Sequence, residues 1–341
     1  MSICDYGYTF EGHKDVARIT AVHKERYAIV SEHGEGYAKL KASRYFTGYA
    51  EYPTVGDFVR INYNACGDSQ IVETLPRRTY FSRRDPQPGH GEQAVAANFD
   101  YVFILQSLNM DFNVKRLERY LTLAWQSGAT PVVLLTKADL CSDYSAQMLA
   151  AGEIAVGVHI HVVSAVTGQG LNELAGYLQR GRTAVFLGSS GVGKSSLVNA
   201  LAGKEIMATG EIREDDSKGR HTTTHRQLIC LASGAMIIDT PGMRELGMWD
   251  VTEGLSDAFS DVERFVGQCR FRDCRHESEP GCAVKAAIES GELDAARFES
   301  YRSLKGEAEY ADDKATFLRQ KHQRNKEISK FSKKLKKERR K

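Results

Sequence analysis

Residues Gly188-Ser-Ser-Gly-Val-Gly-Lys194-Ser195 follow the spacing G-x-x-x-x-G-K-[ST], which is chemistry for holding a polyphosphate. Glycines let backbone N–H groups converge on phosphate oxygens, where a Cβ would obstruct them. Lys194 brings a point charge to the β- and γ-phosphates, and the Ser195 hydroxyl is a hard oxygen ligand for Mg2+. A helix expected over 195–201 turns the positive end of its dipole toward the same phosphates. The nucleotide-facing run is therefore Gly188, Ser189, Ser190, Gly191, Val192, Gly193, Lys194, Ser195 and Ser196.

A phosphate loop does not choose its base. Thr136-Lys137-Ala138-Asp139 ends the apolar run PVVLL and resembles the guanine-reading N-K-x-D motif of Ras-like GTPases. A carboxylate at Asp139 accepts from guanine N1–H and N2–H2, a donor pair that adenine lacks. The Lys137 stem can cover the base. Thr136 stands where Asn is usual; it keeps a short polar group and loses the amide. Ser164-Ala165, after HIHVV, resembles the S-A-x loop that offers a backbone N–H to guanine O6. Asp239-Thr-Pro-Gly242 fits D-x-x-G: Asp239 can hold Mg2+ through water, and Gly242 can present its N–H to a γ-phosphate. Between these motifs lies Lys218-Gly-Arg-His-Thr-Thr-Thr224-His. Thr224 is the expected switch threonine that closes over Mg2+, with Thr223 as second choice. A Gln just after D-x-x-G orients the attacking water in Ras-like enzymes, but Met243 stands there. His221 is the nearest side chain able to place that water, so the catalytic expectation falls on His221, Thr224 and Thr223.

The order of these motifs is unusual. The guanine segments at 136 and 164 precede the phosphate loop at 188, whereas a Ras-like chain runs the other way round. That is the order of a circularly permuted domain, with Gln179–Thr183 as the link joining the former ends. Domain termini often lie close together at the surface, which makes such a link physically reasonable. The new end falls just after D-x-x-G, so the following region is attached where nucleotide state changes the backbone.

A second kind of site follows. Cys269-x4-Cys274-x-His276-x5-Cys282 places three thiols and an imidazole within 14 residues. Four such ligands suit tetrahedral Zn2+, closed to water and therefore structural. Cys4, Cys66, Cys141 and Cys230 have no comparable neighbours in sequence.

The elements that must position these residues are legible in outline. From about Val16 to Leu75 the chain holds short β-rich pieces broken at Gly34, Gly36 and Gly67, suiting a small barrel of either OB or SH3 type. RRTYFSRRDPQPGHG follows, with four arginines, and reads as a basic linker. Strands expected at 101–105 (a continuous apolar run), 131–135, 159–163, 184–187 and 235–239 alternate with helical spacing at 114–126, 144–151, 171–179 and 195–201. That alternation implies a parallel sheet covered on both faces. On the helix at 114–126, Leu117, Tyr120, Leu121 and Ala124 share one side. Beyond Asp257 the chain is helix-prone.

Length and composition agree. The 341 residues suit more than one domain, and 42% hydrophobic with 26% charged residues is the mix of a folded globular chain. No apolar run approaches the ~20 residues of a spanning helix. MSICDYGYTF has no basic-then-apolar pattern, so a cytoplasmic protein with reduced thiols and no membrane partner is expected. Residues 321–341 carry eight lysines, three arginines and two glutamates, a net of +9 in a chain whose total is +2. A basic tail on an acidic body suits an anionic partner such as RNA.

Taken together, G-S-S-G-V-G-K-S-S at 188–196, G-R-H-T-T-T at 219–224, D-T-P-G at 239–242 and C-x4-C-x-H-x5-C at 269–282 resemble the RsgA (YjeQ/YloQ) family of circularly permuted bacterial GTPases. The stretch ending F-x-R-R-x-P, followed by Q-x-V-x-A-N-x-D-x-V-F at 93–103, is similar too. The resemblance covers nearly the whole chain. It implies a multidomain protein: an N-terminal all-β OB-type barrel that binds RNA (1–78), a basic linker (79–92), a central α/β P-loop GTPase domain, circularly permuted (93–246), a C-terminal α-helical zinc-binding domain (247–320) and a basic tail (321–341). It implies GTP/GDP, Mg2+ and one structural Zn2+. It further implies a monomeric, ribosome-stimulated GTPase that binds the small ribosomal subunit and its rRNA, assists late maturation and is released on hydrolysis. A GTP-gated RNA-binding factor in another RNA pathway, such as tRNA modification, is the alternative.

Overall fold

The computed structural model describes residues 3–9, 14–23, 26–41, 52–84, 92–109, 111–207, 226–239, 251–277 and 279–310. These fall into two compact units, one within 1–81 and 94–245, the other within 82–93 and 246–341.

In the first unit, β1 (Val16–Val22), β2 (Tyr27–Ser31), β3 (Gly34–Leu40), β4 (Phe58–Asn62) and β5 (Ser69–Thr74) close a small barrel. β1 pairs antiparallel with both β2 and β4, β2 with β3, and β4 with β5, while β3 and β5 run parallel. This closed ring, with its parallel pair, is OB-type and settles the choice against an SH3-like barrel. Ala17, Ile19, Ile29, Ala38, Val59, Ile61 and Ile71 fill the interior.

The stretch expected as a basic linker is not all loop. Tyr80–Arg84 form β6, which pairs with β7 (Glu92–Ala97). Tyr80 and Phe81 have strand propensity, which the surrounding charges and prolines obscured. Arg77, the first of the four arginines of that stretch, is bound within the protein: its Nε and Nη2 each donate at 2.8 Å to the buried carboxylate of Asp57.

The nucleotide-type sheet contains β8 (Tyr101–Ser107), β9 (Thr130–Thr136), β10 (His159–Val162), β11 (Thr183–Leu187), β12 (Gln227–Cys230) and β13 (Met236–Asp239). Their order is β10-β9-β8-β11-β13-β12, parallel except for β12 against β13. β8, β9 and β11 are buried along almost their whole length, which is why they read as unbroken apolar runs. Helix α1 (Val114–Gln126) starts at Asn113, whose side chain accepts from the Arg116 N–H at 2.9 Å. It buries Leu117, Tyr120, Leu121 and Ala124, as their spacing predicts. α2 (Ser145–Ile154) and α3 (Lys194–Ala202) follow. The helix expected over 171–179 is a short 3-10 turn, Leu171–Gly176, in which Leu174 alone is buried. Leu171, Leu174 and Tyr177 recur every third residue, the period of a 3-10 turn, and pack against the same core, with Leu178 buried beside them.

Barrel and nucleotide-type sheet are continuous. β1 pairs antiparallel with β12, Ala21 facing Gln227, giving a sheet of 11 strands among the described residues. Arg18 of β1 lies at this seam, 1% exposed. It donates to Tyr6 O (2.5 Å), Asn98 O (2.7 Å), Thr183 Oγ1 (3.0 Å), Gly56 O (3.3 Å) and Met236 Sδ (3.3 Å). Burial lowers its pKa to about 10, so the guanidinium stays charged at neutral pH. The link at 179–183 is tied down nearby: Gly181 N–H donates to Gly234 O, and Arg182 pairs with Asp100 at 2.8 Å. Gly7 has φ +81°, and a Cβ there would come within 2.6 Å of Gly181 O, so the approach requires glycine.

The second unit contains α4 (Thr252–Ala258), α5 (Ser260–Val266), α6 (Ala283–Ser290) and a helical run at 295–310, labelled α7. Arg297 anchors α7: its Nε and Nη2 reach Asp261 at 3.0 and 2.9 Å, and it lies 4.0 Å over the Phe259 ring. The Tyr301 hydroxyl donates to Glu263 at 2.6 Å. Among the described residues no helix is long and apolar enough to cross a membrane.

Candidate functional site

The loop at 188–193 leaves the C-terminal end of β11, the edge where parallel sheets collect ligands. A Cβ at Gly188 would sit 2.9 Å from Val192 Cγ1 and 3.1 Å from Leu105 O, so the loop doubles back only with glycine. Gly193 enters α3 at φ +101°, a conformation that glycine reaches without strain. Lys194 Nζ donates to Gly188 O at 2.7 Å and Ser189 O at 2.6 Å, which holds its charge over the loop. Ser195 and Ser196 lie in the first turn of α3, half-buried.

The guanine-type segment is bonded to that loop. Thr136 ends β9, and its hydroxyl donates to Val192 O at 2.7 Å. Lys137 follows in the left-handed region, φ +61°, and Ala138 N–H donates to Val163 O. Asp139 is exposed, with its Oδ1 accepting from the Ser164 hydroxyl at 2.5 Å. Ser164 is fully buried, and its Oγ accepts in turn from the N–H groups of Val166 and Thr167 at 3.2 Å. The Ser164 hydroxyl therefore aims the carboxylate, in addition to the backbone role that sequence assigned to Ser164-Ala165. Its spacing from Asp139 carried no signal, because the two meet only once β9 and β10 pair. Another bond that the sequence did not announce joins Ser189 Oγ to Asp111 Oδ2 at 2.8 Å across 78 positions.

Asp239 ends β13, next to β11 in the sheet, with Ile238 facing Val185. That register sets the end of β13 at the same edge of the sheet as the loop that leaves β11 for Ser195. Two hard oxygen donors there suit Mg2+, which such a pair can hold directly and through water. His221, Thr223, Thr224 and Gly242 lie outside the described residues, as do Met243 and the basic tail.

In the second unit the ligating atoms of Cys269, Cys274, His276 and Cys282 lie within 4.8 Å of one another. Zinc–ligand bonds of ~2.3 Å to sulfur and ~2.0 Å to nitrogen give tetrahedral edges of about 3.8 Å (S···S) and 3.6 Å (S···N). Cys269 Sγ and Cys282 Sγ are 3.9 Å apart, with His276 Nδ1 at 3.5 and 3.4 Å from them. The donor set and its spacing fit Zn2+. Burial pushes the Cys269 thiol up, but the amides of Ala283 and Val284 at the start of α6 and the thiols of Cys274 and Cys282 outweigh it. The Cys269 thiol is thus held below its usual range, whereas burial and the neighbouring Cys282 and Cys269 thiols push Cys274 up to about 11.

The RsgA GTPase family model matches residues 74–249. Small ribosomal subunit biogenesis GTPase RsgA 1 of Listeria innocua is 46% identical over 318 residues, 91% of this chain and 90% of that protein. RsgA 1 of Listeria monocytogenes serovar 1/2a is 49% identical over 296 residues, 86% of this chain and 83% of that one. Among solved structures, YjeQ from Thermotoga maritima matches with a TM-score of 0.64 at 28% identity, covering 85% of this chain and 96% of that one. YloQ, described as a circularly permuted GTPase, gives 0.60 at 25%, covering 87% and 95%. Barrel, permuted sheet, phosphate loop and cysteine cluster thus meet in a chain that belongs to the RsgA GTPase family.

Proposed function

We propose that this chain hydrolyses GTP to GDP and phosphate in the late maturation of the small ribosomal subunit. The observation that carries the reading is the bonded triangle of base and phosphate elements. Ser164 aims Asp139, and Thr136 ties the same segment to the phosphate loop. The names of the relatives at 46–49% identity supply the small ribosomal subunit. They do not favour another RNA pathway.

In this reading Asp139 and Ala165 read guanine, Lys137 covers it, and residues 188–196 hold the phosphates. Ser195, Asp239 and Thr224 hold Mg2+, which neutralises charge that builds up during transfer. Water attacks the γ-phosphorus, the bond to the β–γ bridging oxygen breaks, and GDP leaves with the water's proton passing to the phosphate. Met243 cannot orient that water, which makes unassisted turnover slow. His221 beside Thr223 and Thr224 takes the task once the subunit is bound; an imidazole accepts or donates near neutral pH. Zn2+ on Cys269, Cys274, His276 and Cys282 is structural. The OB-type barrel and the basic tail bind rRNA, and the protein acts as a monomer in the cytoplasm, where the subunit matures.

The test is GTP turnover with and without purified small subunits. Stimulation by subunits, lost in His221→Ala while GTP affinity holds, supports the reading. Turnover indifferent to subunits, or stimulated by free tRNA instead, overturns it.

A further inference from the structure

We propose that Asp111 is a positioning residue for the phosphate grip, and that Arg116 is paired with it to cancel its charge. The inference rests on the reading of residues 188–196 as the nucleotide loop. Asp111 lies between β8 and α1, in neither element. Its Oδ2 accepts from Ser189 Oγ at 2.8 Å. Ser189 is also the residue whose carbonyl accepts from Lys194 Nζ at 2.6 Å. Asp111 therefore fixes the backbone that fixes the lysine.

A carboxylate beside a loop built for polyphosphate is electrostatically adverse. Arg116 answers it. Its Nη1 donates to Asp111 Oδ1 at 3.1 Å and its Nη2 lies 3.0 Å from Oδ2, a bidentate pair. Nη2 also donates to Asp111 O and faces Gln106 Oε1 at 3.4 Å. The Asn113 cap sets where Arg116 starts on α1. Asp111 N–H donates to Asn109 Oδ1 at 3.1 Å, and Asn109 Oδ1 also accepts from the Ser107 hydroxyl at the end of β8. The carboxylate is thus held from both neighbouring elements, neutralised, and offered to Ser189.

A brace that only stabilised the fold would be insensitive to ligand charge. The charge-cancelling arrangement is not, and that separates the two. GDP and GTP affinities are measured by titration with a fluorescent guanine nucleotide, alongside the melting temperature. Asp111→Ala and Ser189→Ala each weaken GDP binding about tenfold, and together by clearly less than the two losses combined, since both remove the Ser189–Asp111 bond. Arg116→Met exposes the carboxylate and weakens GTP more than GDP; adding Asp111→Asn restores both to within about twofold. Ser189→Ala, which leaves the Asp111–Arg116 pair in place, carries the measurement if Asp111→Ala melts early. Additive losses, variants as tight as the unaltered chain, or an Arg116→Met defect that Asp111→Asn does not relieve would each overturn the assignment. An unaltered chain that bound neither GTP nor GDP would instead overturn the nucleotide reading itself.

Discussion

Thr136→Val tests whether the threonine in the guanine motif does the structural work of the usual asparagine. Thr136 is 4% exposed, and its hydroxyl has two carbonyls in reach, Val192 O at 2.7 Å and Gln106 O at 3.4 Å. A hydroxyl has one proton, so the shorter bond takes it. Valine keeps the shape and removes the donor, leaving a buried phosphate-loop carbonyl without its partner. An unsatisfied buried acceptor costs about 1–3 kcal/mol. Part of that appears as lower stability, because the bond exists before nucleotide arrives. The part that depends on loop geometry appears in binding. A share of about 1–2 kcal/mol weakens GDP roughly five- to thirtyfold. The GTP-over-ATP preference stays, because Asp139 and Ser164 are untouched. Thr136→Asn supplies an amide donor to the same carbonyl and recovers affinity. Equilibrium titration with GDP, paired with competition by ATP, reads all three expectations. A valine variant that bound GDP within twofold of the unaltered chain would refute the bracing argument, as would loss of guanine preference at unchanged affinity.

Asp139→Asn keeps an oxygen that can accept from Ser164 but puts an amide where a carboxylate faces the guanine donors; guanine preference over adenine should fall by about 1–3 kcal/mol, and an unchanged preference in competition refutes the assignment. Chelation of metal, or Cys274→Ser, should unfold the second unit while nucleotide binding by the first persists; purified protein with no zinc by metal analysis rejects this. Arg18→Met strips donors from the buried carbonyls of Tyr6, Gly56 and Asn98, so denaturant unfolding of the first unit should lose on the order of 3–5 kcal/mol; an unshifted midpoint would show that the seam does not depend on it.

What was legible in the sequence was what local spacing encodes. The phosphate loop, D-x-x-G and the cysteine cluster are each complete within a few residues, because their atoms must converge through a single turn. β8, β9 and β11 were legible because burial on both faces leaves an unbroken apolar run. The choice between two small barrels was not, since both use short alternating strands; it depends on β3 running parallel to β5, a pairing between residues 38–40 and 69–71. The 3-10 turn at Leu171–Gly176 was read as a helix because propensity is local, whereas the packing of every third residue against the core is not. At the candidate site, the motif residues are legible in the sequence and the bonds that join them to other segments are not. Ser164 to Asp139 and Ser189 to Asp111 are bonds between distant segments, made by residue types that also serve any loop.

The attachment of the barrel has a structural consequence at β12 and β13. β13 carries Asp239 at its end, and β12 is its antiparallel neighbour. The barrel is attached to β12 through β1, with Ala21 facing Gln227. Arg18 of the same strand binds Thr183 at the start of β11 and Met236 at the start of β13. The barrel thus joins the nucleotide-type sheet at β12, rather than at the edge formed by β9 and β10. A shift of β13 against β11 would have to be matched by β12, by β1 and by the donors of Arg18, since a buried guanidinium cannot release its carbonyls without a penalty. The pairing of β1 with β12 therefore places the barrel one strand from β13, whose last residue is Asp239.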